Sequence, residues 1–398
     1  MNFIFVSPQF PRVYWNFCDR LKKKGVNVLG IGDTPYDQLA HEVRESLTEY
    51  YFVPSLADYD QMLRAVAFFT FKYGRIDWLE SNNEYWLTSD ARLRTDFNIR
   101  TGWQTGDMDH IKNKSAMKPF YKKAGIPTAR LVKVTTLAAA EEFLAEVGYP
   151  VIVKPDTGVG ATDTYRIDNH DELRHFYASK PTVPYVMEEF ITGDICSYDA
   201  IVDADSNPIF ESMTVWPPSV MDIVLYQLDL SYYTTDRVPD ALQKAGRATL
   251  KAFRVRSRFV HLEFFRLTQD KPGLGNVGDF VGLEVNMRPA GGYTTDMMNF
   301  AHSTDVYEIW ADMITANRRL LPDRNEHCYC AYASRRDFHR YVHTHEEILS
   351  RYAGKIVMCE RMPEMMSPQM GNQMYTAKLS GQDETNEFIR FVQEQQSC

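Results

Sequence analysis

Two short segments place carboxylate, amide and guanidinium groups at strand spacing. Between Val281 and Gly292, the residues Leu283, Val285 and Met287 alternate with Glu284, Asn286 and Arg288. That period of two sends successive side chains to opposite faces of a strand. One face is apolar; the other presents a carboxylate, an amide oxygen and a guanidinium in a row. Gly291 and Gly292 follow, where backbone can come close to a ligand. Upstream, Phe259 to Leu267 is a second strand pattern with Glu263 inside an apolar run. If the two strands pair, Glu263 faces Glu284 and Asn286. Buried carboxylates without partners are costly, so such a cluster calls for cations. Oxygen-only donors suit a hard ion, Mg²⁺ or Mn²⁺, and Arg288 suits a phosphate that the ion also touches. A solvated strand face with a surface salt bridge would use the same residue types, and these segments alone leave both readings open.

The elements that must position these groups follow from periodicity. Phe3 to Val6, Val26 to Gly32, Tyr50 to Val53 and Ile76 to Leu79 read as strands, with helices from Tyr14 to Lys24 and Tyr59 to Tyr73, then a polar stretch to Thr105. Strand–helix–strand order implies parallel crossovers and an open α/β domain over residues 1–108. From Asp109, five lysines (Lys112, Lys114, Lys118, Lys122 and Lys123) fall on a helix ending at Gly125, and most of them are expected on a solvated face. Arg130 to Val134 and Tyr149 to Lys154 are strands around a helix from Ala138 to Glu146. Lys154 closes an apolar strand ahead of a loop holding Gly158 and Gly160, where loop amides can add donors for a phosphate. No Gly-x-x-x-x-Gly-Lys-Ser/Thr loop occurs, which argues against a P-loop enzyme.

A helix from Asp171 to Tyr177 and strands at Tyr185 to Met187 and Ser197 to Val202 come next. Phe210 to Arg237 is aromatic and aperiodic, and reads as a long functional loop. Asp240 to Arg254 and Asp305 to Asn317 read as helices. Gly273 to Gly278 formally matches Gly-x-Gly-x-x-Gly, but it joins the two acidic strands and opens no helix, so it reads as a hairpin loop. The expected division is 1–108, 109–320 with a mobile lid at about 120–190, and a small α+β domain over 321–398 with strands near 328–333, 355–358 and 374–379 and a helix from Thr385 to Gln395.

Composition narrows the function classes. The chain has 398 residues, 44% hydrophobic and 24% charged, with a formal net charge of −9. That balance argues against a nucleic-acid partner. No apolar run reaches the roughly 18 residues of a membrane helix, and the N-terminal segment reads as a first strand rather than a signal peptide. Cys18, Cys196, Cys328, Cys330, Cys359 and Cys398 form no Cys-x-x-Cys pair, so neither a zinc site nor a disulfide framework is indicated and a cytoplasmic setting is expected. His339, His343 and His345 lie close together and read as a solvated helix face. A homodimer is compatible with these features.

With these pieces in order, the chain resembles the ATP-grasp superfamily over roughly residues 109–317. The motifs run Asn113-Lys114 with Gly125-Ile126-Pro127, Val153-Lys154-Pro155, Glu188-Glu189-Phe190, Gly193-Asp194 through Ser197, Glu263, and Leu283 to Arg288. They look closest to the biotin carboxylase and carbamoyl-phosphate synthetase branch, and within it to the L-amino-acid ligases. The resemblance implies ATP-grasp architecture between an N-terminal open α/β domain and a small C-terminal α+β domain. It implies that Lys114 and Lys154 contact ATP phosphates and that Glu188, Glu189 and Ile191 form the hinge around adenine. It sets Asp194 near the ribose, makes Glu263, Glu284 and Asn286 ligands of Mg²⁺ or Mn²⁺, and turns Arg288 toward the transferred phosphoryl group. Asn113 departs from the Asp that usually precedes the first lysine, and the loop at Asp156 to Thr162 has fewer glycines than many relatives.

The implied activity is an ATP-dependent ligase that joins a small carboxylate to an amine, both amino acids, through an acyl phosphate. A bicarbonate-using enzyme of the carboxylase or carbamoyl-phosphate type, and a nucleotide-binding subunit without chemistry, are the alternatives. Trp216, Met221, Tyr226, Tyr232, Tyr233 and Tyr293 are candidates for lining an acceptor pocket, though aromatic clusters also build cores.

Overall fold

A computed structural model of the protein describes residues 1–158, 163–179, 182–217, 228–364 and 366–396. Four strands, β1 (Asn2–Val6), β2 (Asn27–Gly32), β3 (Glu49–Phe52) and β4 (Trp78–Glu80), form a parallel sheet in the order β3-β2-β1-β4. Phe3, Ile4, Phe5 and Val6 are fully buried, as a parallel sheet covered on both faces requires. Phe3 and Phe5 pack with Phe17 of the Trp15–Lys23 helix and Trp310 of the Val306–Ala316 helix. Ile4 and Val6 pack on the other side with Met62 and Phe69 of the Tyr59–Tyr73 helix.

The polar stretch before Thr105 contains a helix, Leu87–Asp96, that apolar periodicity did not reveal. Its buried residues are Asp90 and Arg94 beside Leu87, Ala91 and Leu93, so two of the five are charged. Those charges are compensated. Ser81 donates to Asp90 Oδ2 at 2.6 Å. Glu80 accepts from Arg258 Nη2 and stands 3.5 Å from Arg94 Nη1, while Arg258 Nη1 donates to the Met287 carbonyl at 2.7 Å.

A second sheet holds β5 (Leu131–Lys133), β6 (Val151–Pro155), β7 (Tyr165–Ile167) and β8 (Tyr185–Glu189) in the order β5-β8-β6-β7, all antiparallel. The Leu137–Val147 and His170–Ser179 helices close its core. β7 is too short and too polar to signal itself.

The third sheet has eight strands: β9 (Gly193–Val202), β10 (Pro208–Trp216), β11 (Ser231–Thr234), β12 (Arg258–Leu267), β13 (Phe280–Asn286), β14 (Tyr329–Arg335), β15 (Ile356–Arg361) and β16 (Gln373–Leu379). Their order is β13-β12-β9-β10-β11-β14-β16-β15. The long loop expected from Phe210 to Arg237 is therefore corrected at both ends, by β10 and β11; residues 218–227 lie outside the described residues. Alternation is hidden in β10 because Ser212 and Thr214 are buried along with Met213 and Val215. β14 pairs with β11, Ser231 opposite Ala333, so the chain beyond residue 320 continues the central sheet across the expected boundary. Helices at Thr294–Ala301 and His345–Arg351 also escaped periodicity.

The histidine group is corrected as well. Of the three, only His345 lies in a helix. His343 stacks on Phe391 with ring centroids 3.6 Å apart, His345 Nδ1 meets the Tyr375 hydroxyl at 2.8 Å, and His339 Nδ1 lies 3.4 Å from Asp229. The glycine-rich match at Gly273 to Gly278 joins antiparallel β12 and β13, as the hairpin reading expects.

Glu80 ties the first sheet to the strand pair that carries the acidic residues. Removing it would leave two buried guanidinium groups short of their counter-charge. Glu80→Ala should cost about 3–5 kcal/mol of stability in urea denaturation. A loss below about 1 kcal/mol would mean that the carbonyl partners of Arg94 and Arg258 suffice.

Candidate functional site

Strand register builds the site. Glu263 on β12 stands opposite Glu284 on β13 and opposite Ser197 on β9. One step along, His261 stands opposite Asn286 and Asp199. Paired residues of antiparallel strands project to the same face, so one face of three adjacent strands carries Glu284, Asn286, His261, Glu263, Ser197 and Asp199. A bulge follows Glu263.

Cations reach this face from a neighbouring helix. Asp156, the residue after β6, fixes the start of the Lys114–Ala124 helix. Its carbonyl accepts from the Lys114 N–H at 2.9 Å and its carboxylate accepts from the Ser115 N–H at 2.8 Å and the Ser115 hydroxyl at 2.7 Å. A carboxylate supplied from another strand thus caps the helix. The helix then holds Lys114 Nζ 3.0 Å from Glu284 Oε1. One turn later Lys118 Nζ lies 2.6 Å from Glu188 Oε1, and Lys154 Nζ lies 2.6 Å from Glu188 Oε2. Lys118 is therefore corrected from a solvated lysine to part of a buried clasp.

The electrostatics follow from this pairing. Burial opposes ionisation of Glu188, but Lys154 and then Lys118 outweigh it and bring the carboxyl down to about 2. Burial would favour neutral Lys154, and Glu188 with Glu284 reverses that and raises it. Glu284 is raised, mainly by burial and further by Glu263, against the pull of Lys114. Glu263 is lowered: burial opposes its charge, and the hydrogen bond from His261 prevails. His261 is pushed up to about 9, because Asp199 and Glu263 overcome burial.

Other expected residues lie nearby or apart. Arg288 Nη2 donates to Asn286 Oδ1 at 3.4 Å, and its Nε lies 3.7 Å from Glu84, which also pairs with Lys112 at 2.6 Å. Glu189 turns away from Glu188 and binds the Arg130 N–H at 2.7 Å and the Arg130 guanidinium at 2.8 Å. Ile191 is buried in a small core with Ala129, Leu267, Leu274 and Val281. Asp194 is not brought to the acidic face. It pairs in register with Arg266 and sits with Cys196 and Tyr233 on the opposite side of the sheet, which parity along β9 dictates. Gly158 follows β6 by three residues, and Gly160 lies outside the described residues.

Among the aromatic candidates, Trp216 meets the His261 ring edge-on at 5.3 Å and stacks on Tyr232 at 6.3 Å. Tyr233 lies with Asp194 on the other face, Tyr293 donates to Glu360 at 3.2 Å, and Met221 and Tyr226 are outside the described residues. Sequence reasoning missed His261, Asp199 and Lys118. The first two were within reach of the rule of two applied from Glu263 and Ser197, and Lys118 of the rule of four applied from Lys114.

Two carboxylates and an amide oxygen beside three lysines form an oxygen-donor set that suits Mg²⁺ completed by phosphate oxygens. Among the described residues, no group of three or more His, Cys, Asp or Glu side chains is placed to hold a metal by itself. No helix among them is long and apolar enough to cross a membrane.

Residues 111–226 match the ATP-grasp domain family. A curated L-arginine-specific L-amino acid ligase of Bacillus subtilis is 25% identical over 247 residues, which cover 60% of this chain and 57% of that protein's length. The L-amino acid ligase of Bacillus licheniformis shares the fold with a TM-score of 0.69 at 15% identity, covering 98% of this chain and 96% of that one. N5-carboxyaminoimidazole ribonucleotide synthetase of Thermus thermophilus also gives 0.69 at 15% identity, over 98% and 97%.

The lysine clasp yields a pH prediction. A carboxyl lowered to about 2 from an ordinary 4.5 contributes stability that is complete above the unfolded value and is lost as pH falls through the folded one. The difference corresponds to roughly 3 kcal/mol. Glu188→Gln should lose about that much at pH 7, and the deficit should shrink by about half at pH 3. A deficit that stays constant between these pH values would remove Glu188's ionisation as its cause.

Proposed function

We propose that this chain, which belongs to the ATP-grasp superfamily, is an ATP-dependent ligase that forms an amide between two amino acids. The observation that carries the reading is the ring of lysines at the acidic face: Lys114 on Glu284, with Lys118 and Lys154 on Glu188. Each lysine is paired with a carboxylate that it can exchange for a phosphate. The names of the two amino acid ligases above support amino acids as substrates.

ATP supplies the phosphoryl group that converts the substrate carboxylate to an acyl phosphate, and Mg²⁺ spreads the charge of the phosphates. The amine then attacks the acyl carbon, the amide C–N bond forms, phosphate leaves with the carbon–oxygen bond's electron pair, and the proton that the amine nitrogen loses passes to phosphate or solvent. In this reading Glu263, Glu284 and Asn286 hold the ion, and Lys114 and Lys154 turn to the phosphates. Backbone around Glu188, Glu189 and Ile191 borders adenine, and Gly158 lies at the phosphate loop. Arg288, next to Asn286, is set to neutralise the transferred phosphoryl group. Asp194 has no part in it. Residues 1–108 and 109–320 are the corresponding first two domains, with 321–398 completing the central sheet of the second, and the sheet β5–β8 is the lid that excludes water from the acyl phosphate.

Phosphate release should be stimulated by pairs of amino acids with Mg²⁺ and ATP, and mass spectrometry should find the dipeptide. Stimulation by bicarbonate instead would replace this substrate class, and release indifferent to both would remove the ligase reading. Because Glu284 is raised, its ionised form opposes folding at neutral pH. Glu284→Gln should therefore leave the nucleotide-free protein with an unchanged or higher melting temperature, while turnover falls by about 10²–10³. Retained turnover in a destabilised protein would make Glu284 a structural residue.

Lys154→Met should weaken ATP binding in calorimetry, with the fold kept because Lys118 still partners Glu188. Unchanged affinity in the folded variant would take Lys154 out of the nucleotide site.

A further inference from the structure

His261 is buried, and both of its ring nitrogens face carboxylates. Nδ1 lies 2.7 Å from Asp199 Oδ1 and Nε2 lies 3.1 Å from Glu263 Oε1. A histidine that only fills a core needs one donor and one acceptor partner. Here both partners are acceptors, so both nitrogens donate. Asp199 is itself fixed, since its second oxygen accepts from the Ser197 hydroxyl at 2.5 Å, and Trp216 closes against the imidazole at 5.3 Å. The register of β9 and β12 keeps the whole row on one face. Burying a ring and an acid is costly unless each polar atom is paired, and here each is.

What the arrangement serves is set by the neighbour. Glu263 stands directly across from Glu284, and two carboxylates so placed repel. Without a donor on its near side, the Glu263 side chain, 27% exposed, would swing away from Glu284 toward solvent. The hydrogen bond from His261 engages Oε1 and holds the group in place. We infer that Asp199 and His261 are positioning residues that hold the Glu263 carboxylate toward Glu284, in the orientation in which the two carboxylates and Asn286 together receive a divalent cation. The assignment rests on the proposed function for the identity of the ion and extends it to two residues that touch neither nucleotide nor metal. Partners of this kind orient a ligand, and their loss typically lowers metal affinity or activity by 10–100-fold.

The test separates metal from nucleotide. ATP affinity is measured by calorimetry with and without Mg²⁺ for wild type, His261→Gln, Asp199→Asn and Glu263→Gln, with thermal melting as the check of fold. In wild type, Mg²⁺ should strengthen ATP binding. In His261→Gln and Asp199→Asn, affinity without Mg²⁺ should stay within about twofold, while the Mg²⁺ concentration for half-maximal turnover rises about 10–100-fold. Glu263→Gln should show the same pattern more strongly. Asp199→Asn conserves volume and carries the test if His261→Gln does not fold. An unchanged Mg²⁺ requirement in a folded variant overturns the positioning role and leaves the ligase reading standing. An equal loss of ATP affinity with and without Mg²⁺ also overturns it, as a general structural effect. If wild type itself binds ATP no better with Mg²⁺, the reading of the site falls, and the positioning role with it.

Discussion

Two carboxylates that strand register forces to face each other, Glu263 and Glu284, are the constraint on which the rest of this molecule depends. Their backbones are locked by a ladder, so they cannot separate, and each must find a cation from elsewhere in the chain. Lys114 reaches Glu284 from a helix whose first turn is anchored by Asp156, and His261 reaches Glu263 from its own strand. Glu188 repeats the arrangement one sheet away, with Lys118 and Lys154. The cleft is thus internally compensated, and phosphates would compete for its lysines with carboxylates already in place. Binding there is an exchange of partners rather than the filling of an electropositive hole.

The parts of this arrangement that alternate were legible from residue types. Glu284 and Asn286 share a face because they are two apart, and Glu263 could be matched to them once β12 and β13 were read as neighbours. Lys154 was legible because a lysine ends an otherwise apolar strand. The parts that escaped share a physical cause: their polar residues are buried because they are paired, and pattern reading equates polar with exposed. The Leu87–Asp96 helix hides its inward face behind Asp90 and Arg94, and β10 hides its own behind Ser212 and Thr214. Lys118 looked like one more solvated lysine until Glu188 was placed opposite it. Asp194 lies apart from the acidic face for a different reason. Its motif position suggested the nucleotide, but parity along β9 puts it on the other side of the sheet.

Arg258 links these levels. It opens β12, the strand that carries Glu263, donates to the carbonyl of Met287 beside Arg288, and pairs with Glu80 at the end of the first sheet. The parallel sheet and the acidic strands are held in one orientation by a buried ionic contact, which is directional where apolar packing is not. The position of Arg288 near Glu84, just beyond Glu80 in the chain, follows from that.

The continuity of the eight-stranded sheet sets limits on modularity. Because β14 pairs along β11, the described residues beyond 320 are not an appendage that could be trimmed or swapped. Cutting the chain near 320 would expose the backbone edge of β11, an unpaired row of donors and acceptors that invites strand addition from another chain. Shuffling this segment between relatives would therefore have to carry β11 along with it, together with the aromatic side chains on that strand. Any recombined protein would take Tyr232 from the donor of its C-terminal part and would have to fit it against the Trp216 of the other donor.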